Sequence, residues 1–162
     1  ELGNDYPDNG ERAIFIARGV LETVKKLRWA PDVIHCQGWM SAVIPFYVKT
    51  AYKDEPQFAK SKVVTSLFTE QPRGSLGKKF KQCLEFKSAE LSLIEKYGDN
   101  FDFKELGKLV IDYSDGIIQT SNNVNKELIQ YAKDNKKEIL LQPDNEEEVK
   151  TKYTEFYNKI IE

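Results

Sequence analysis

The chain has 162 residues, enough for one domain with a real core, and its 40% hydrophobic, 31% charged and 12% aromatic content is that of a globular protein. A formal net charge of −2 gives no electrostatic basis for binding nucleic acid or an anionic membrane, and no apolar run reaches the ~20 residues of a membrane span. Two cysteines, Cys36 and Cys83, make no disulfide framework, which points to a reducing, cytoplasmic setting.

The chain opens on polar ELGNDYPDNG without an initiating Met and reads as cut from something longer. Residues 11–28 carry Ala13, Ile16, Ala17, Val20, Val24 and Leu27 at helical spacing, with Lys25, Lys26 and Arg28 in the last turn, where the helix dipole favours cations. Pro31 and Asp32 break the chain before a short strand, DVIHC. WMSAVIPFYVKTAY follows as an apolar helix in which Pro45 predicts a kink. KVVTSLF, residues 62–68, is a β-branched strand. Residues 78–97 predict two short helices parted near Lys87, and 103–114 a further helix. DGIIQT is a strand, with Ser121 to Asn123 as N-cap candidates for the helix VNKELIQYAKDN. EILLQ is a fourth strand. In the closing helix Asp144 and Glu147 pair like a capping box, and Val149, Tyr153, Phe156, Tyr157 and Ile160 make an apolar stripe. A capped helix of this kind predicts a native C-terminus, with any truncation at the other end.

Short apolar strands alternating with helices imply an α/β fold: a Rossmann-like three-layer αβα domain over residues 1–162, with a mainly parallel sheet of about four strands. Right-handed crossovers bring all strand C-termini to one edge, where ligands bind in such folds. The turns of interest are therefore CQGW, FTEQPRGSLG, QTSNN and LQPDN. They supply Gln37, Gly38, Trp39, Arg73, Thr120, Ser121 and Asn122 as the candidate ligand edge.

Other constellations carry less. His35 beside Cys36 suggests a thiolate–imidazole dyad, but successive strand side chains point to opposite faces, so a regular strand separates them. One histidine and two cysteines 47 positions apart offer too few ligands for zinc, and neither a metal nor a cofactor is expected. RGSLGKK offers amides with Arg73, Lys78 and Lys79 to an anion, yet it lacks the glycine spacing and the Ser or Thr of a Walker loop. The acidic run 146–148 fits a helix N-terminus without a ligand. A receiver-like module would need acidic residues clustered at the strand ends, which the sequence lacks.

YPDNGERAIFIARGVLE resembles the D-N-x-x-R-F segment and following helix of bacterial glycogen/starch synthases, with Asn9 and Arg12 at matching positions and Ala13 in place of the aromatic residue. PDVIHCQGWMSAVIPFYVKTAYKDEPQF is similar to that family's stretch around H-x-H-D-W and the apolar helix ending in K-x-x-Y-K. KVVTSLF falls at its K-V-V-F-T-I-H-N, and YSDGIIQTSNNVNKEL resembles its A-D-x-V-T-T-V-S-P-x-Y-A-x-E-I. Order and spacing hold over roughly residues 6–134.

The resemblance implies the later part of the first of two Rossmann-like domains, in a retaining enzyme that moves glucose from ADP-glucose to an α-1,4-glucan. ADP-glucose or an α-glucan would be the partner. Several of the family's groups have no counterpart here. Its aspartate before tryptophan falls on Gly38, the preceding polar residue on Gln37, and its His-Asn pair on Leu67 and Phe68. The K-T-G-G-L loop would precede Glu1, and the second domain, with the cations that neutralise leaving ADP, is not in the sequence. Glycosyl transfer needs preorganised groups for both developing charges. The expectation is a chain inactive alone, requiring missing segments or a partner chain. The alternative is a non-catalytic single-domain relative that binds a sugar, a glucan or a protein.

Overall fold

A computed structural model describes residues 6–67, 69 and 74–162. Four strands, β1 (Val33–Gln37), β2 (Lys62–Leu67), β3 (Gly116–Gln119) and β4 (Glu138–Leu141), lie in the order β1-β2-β3-β4, every pair parallel. The fold is the expected three-layer α/β Rossmann-like arrangement. The register pairs His35 with Val64, Ser66 with Ile118, and Ile118 with Leu140. Side chains alternate across a strand, so this row shares one face, while Cys36, Val63, Leu67 and Ile117 enter the other.

That second face holds the main core. It is covered by α1 (Asn9–Lys26), α2 (Val43–Lys49), α3 (Gly77–Cys83), α4 (Phe103–Tyr113) and α5 (Lys126–Asp134). A single helix, α6 (Glu146–Ile161), packs Phe156 and Ile160 on Val64 and Ile118 across the first face. Gly116 makes this docking possible: a Cβ there would sit 2.8 Å from Ile160 Cδ1 and 2.9 Å from the Phe156 ring.

The sequence reading needs five corrections. The helix α1 buries Ala13, Ile14, Ala17 and Leu21, whereas Ile16, Val20 and Leu27 are 40%, 47% and 69% exposed. Apolar residues occupy adjacent positions in IFI and VL, so two overlapping stripes have helical period. Packing selects the one that brings small Gly10, Ala13 and Ala17 to the contact. Pro45 causes no kink, because it occupies the first turn of α2, where its missing N–H has no intrahelical partner. Trp39–Ser41 forms a separate 3₁₀ turn instead. Ser121 to Asn123 do not cap α5. Asn125 does, its Oδ1 accepting from the Glu127 and Leu128 amides, because buried Val124 pins the loop and delays the helix. At α6 the cap is Asn145, accepting from the Glu147 amide, one residue beyond Asp144. The segment 78–97 divides near Lys87 as expected, at a left-handed backbone (φ 49°), but its second part is only a 3₁₀ turn, Leu91–Ile94.

Candidate functional site at the carboxyl edge of the sheet

A cavity of about 240 Å³ opens where the four strands end, lined by Gln37, Gly38, Ser66, Thr69, Thr120, Gln142 and Tyr153. Each strand contributes a residue at or just past its C-terminus, as parallel topology requires, and α6 adds Tyr153 from the side. Every one of these residues is neutral. The Thr120 hydroxyl donates to the Leu67 carbonyl (3.0 Å), tying the end of β3 to that of β2.

The turn after β1 is fixed by its backbone. Gly38 sits at φ 72° and ψ 156°, a region that side-chain-bearing residues scarcely enter. Ser41 Oγ locks the turn by donating to the carbonyls of Gln37 (2.9 Å) and Gly38 (2.8 Å).

His35 and Cys36 part company as strand alternation demands. Cys36 is buried in the main core, and burial pushes its thiol up to about 12, so it is no thiolate nucleophile. His35 turns toward α6. Its Nδ1 lies 2.7 Å from Tyr157 Oη and 3.4 Å from Gln37 Nε2, and its Nε2 lies 2.8 Å from Ser66 Oγ. Burial holds the imidazole below its ordinary pKa and so keeps it neutral. Tyr153 Oη donates to Gln142 Oε1 (2.7 Å).

Of the seven residues expected at the ligand edge, Gln37, Gly38 and Thr120 meet in this cavity. Trp39 packs half-buried against the main core. The Ser121 hydroxyl accepts from the Asn123 amide (3.2 Å), and Asn122 lines a separate groove with Gln119, Lys126 and Lys133. Arg73 lies outside the described residues. Ser66, Thr69, Gln142 and Tyr153 were missed. Gln142 belongs to a turn already singled out, and Thr69 to another, but Tyr153 reads from the sequence only as part of a buried stripe. Among the described residues no group of three or more His, Cys, Asp or Glu side chains gathers as a metal site, and no helix is long and apolar enough to cross a membrane.

A profile of the family described as "Starch synthase catalytic domain" matches residues 1–142. The chain belongs to this family. A glycogen synthase of Chlorobaculum parvum is 30% identical over 79% of the chain and 25% of its own length. One from Clostridium perfringens is 33% identical over 75% and 25%. One from Chlorobium luteolum is 43% identical over 46% and 15%. The chain thus spans a quarter or less of these relatives. No solved structure matches it. The helix α6 lies beyond residue 142, outside the matched segment.

Proposed function

We propose that this chain is a sugar-binding member of the starch synthase catalytic-domain family that does not transfer glucose by itself. The observation that carries the reading is the cavity at the strand ends, whose described lining is made only of amides, hydroxyls and a glycine. Such a surface suits the hydroxyls of a glucose unit.

Transfer is another matter. Moving glucose from ADP-glucose to an α-1,4-glucan develops positive charge on the sugar and negative charge on the departing diphosphate. Preorganised groups must meet both, and removing one such group costs ~10²–10³ in rate. No cation or carboxylate lines the cavity among the described residues, and the position resembling the family's aspartate holds glycine in a conformation suited to glycine. The relatives named as glycogen synthases are at least four times longer than the stretch matched. Activity in this family member would therefore need further polypeptide, on the same chain or a partner.

Two measurements test the reading. Titration with maltotriose, followed by calorimetry and by the fluorescence of Trp39 next to the cavity turn, should show saturable binding. A flat titration with maltotriose and longer maltooligosaccharides would remove the sugar-binding claim. Incubation with radiolabelled ADP-glucose and glycogen should leave the polymer unlabelled; incorporation above a blank would overturn the claim of inactivity.

A further inference from the structure

The two flanks of the molecule are finished differently. The sheet runs β1-β2-β3-β4, and the helices over its main face keep that order, α1 packing on α2, α2 on α4 and α4 on α5. One flank therefore carries the outer edge of β4 with α5, the other the outer edge of β1 with α1. On α5 the exposed positions include Lys126, Glu127, Gln130, Lys133 and Asp134, a face suited to water. On α1 the exposed positions between Arg12 and Lys26 are Phe15, Ile16, Gly19, Val20 and Thr23, none of them charged. Phe15 is 78% exposed, and Leu27 and Trp29 continue the apolar surface past the helix end. Single exposed apolar residues are ordinary, but a row along one helix face marks a surface made to be covered. Gly19 adds a second sign. A Cβ at Gly10, Gly107 or Gly116 would press on a side chain of this chain, whereas nothing stands within 4 Å of one at Gly19. Glycine in mid-helix costs helix stability, and at this position only the approach of other polypeptide uses the space it leaves.

The strand β1 has the same character. Among the described residues it pairs with β2 alone. Its register is unbroken, and Val33–Gln37 contains no Lys, Pro or bulge of the kind that shields a natural edge. Val33 packs with the second-face cluster, and Ile34 and Cys36 with the main core. Apolar side chains on both faces belong to an interior strand of a parallel sheet.

Handedness says what completes this flank. The connections from β1 to β2, β2 to β3 and β3 to β4 all pass over the main face and step across the sheet in one direction, as right-handed crossovers require. The helix α1 lies on that same face and leads into β1. A right-handed connection through α1 therefore starts from a strand on the side of β1 away from β2.

We propose that the β1–α1 flank is a docking surface for polypeptide that longer members of the family carry ahead of the segment shared with this chain. The occupant is a strand running parallel to β1 along its outer edge, with apolar side chains laid on Phe15, Ile16 and Val20. The glycogen synthases matched are at least four times as long as the shared stretch, so they have chain to supply it. A second copy of this chain does not meet the requirement, because a twofold axis joining two β1 edges sets them antiparallel. The surface gives a location to the further polypeptide invoked above, and it stands apart from the sugar cavity.

The test uses the whole chain, alone and co-expressed with the part of the Clostridium perfringens glycogen synthase that precedes its matched stretch. The two should co-purify without added sugar, so a failure of maltotriose binding leaves this result intact. In the complex, the amides of Val33–Gln37 that β2 leaves free should exchange at least about tenfold more slowly than in the chain alone, while those of α5 keep their rate. The same segment joined ahead of Glu1 removes the dependence on concentration and should give the same protection. Phe15→Glu and Val20→Glu should leave the urea midpoint of the chain alone unchanged. Each should weaken the complex at least about tenfold, the scale of burying one large apolar side chain, whereas Lys133→Glu on the other flank should not. Absence of β1 protection in both the co-expressed and the joined forms would overturn the proposal, as would a complex indifferent to both α1 variants. A lowered urea midpoint in both variants would mean that the stripe is already packed within the chain, and would overturn it too. A chain that dimerises alone and is dispersed by Phe15→Glu would assign the flank to a second copy instead.

Discussion

Gly38 joins two observations about one residue. Its position resembles that of an acidic side chain in longer relatives, and its backbone lies where a Cβ is strained although nothing stands within 4 Å of it. The obstacle to a side chain is therefore torsional and not steric. Gly38→Ala and Gly38→Asp should each fold and lose about 1–3 kcal/mol in urea denaturation. A Gly38→Asp variant as stable as the wild type would mean that the turn relaxes freely. His35 gives a second prediction at this scale. Its pKa is depressed in the folded state by burial, so the unfolded chain binds its proton first as pH falls. The His35 contribution is complete above about 6.5, the unperturbed value, and is lost as pH falls from there through the folded pKa. Denaturation midpoints of wild type and His35→Gln should thus converge on acidification below pH 6.5. The separation of His35 from Cys36 was legible from strand alternation alone. The partner of His35 was not, because Tyr157 lies 122 positions away and nothing local to either residue links them.

At the scale of elements, all four strands were legible within a residue or two, since each is a short apolar run bounded by turn residues. Helix faces and caps were harder to read for particular reasons. The sequence of α1 has apolar residues on both sides of its small-residue seam, so periodicity had two solutions. For α5 and α6 several adjacent polar residues are chemically able to cap, and tertiary anchors such as Val124 choose among them. The α4 capping box, in which Asp102 accepts from the Glu105 amide and Glu105 from the Asp102 amide, went unread although its residues are three apart. The cavity was half legible: topology pointed to turns whose residues line it, but α6 could not be placed over them from its own stripe. Its placement depends on Gly116. Gly116→Ala would press a methyl on Ile160 and Phe156, and should destabilise the fold by about 1–3 kcal/mol through overpacking. Faster exchange should be confined to α6. A uniform loss of protection over α1 to α5 would contradict that assignment.

Over the whole molecule the two faces of the sheet are unequally covered. Five helices and a large cluster lie on one face; on the other, Val64 and Ile118 are sealed by Phe156 and Ile160, with Val33, Leu140, Tyr153 and Tyr157 around them. The family match ends at residue 142, so the segment shared with longer relatives leaves this second face bare. In this chain α6 both seals that face and supplies the cavity wall. A chain ending at Gln142 tests the division of labour. The main core on the opposite face contains no residue of α6 and should keep most far-UV helical signal from α1 to α5. The exposed row of Val64, Ile118 and Leu140 should bind ANS, and the unfolding free energy from urea denaturation should fall by an amount on the order of burying two large apolar side chains, about 3–6 kcal/mol. Maltotriose binding should be lost, because Tyr153 leaves with the helix. A truncated chain that binds maltotriose as the full one does would place the sugar on strand-end residues alone and remove α6 from the site.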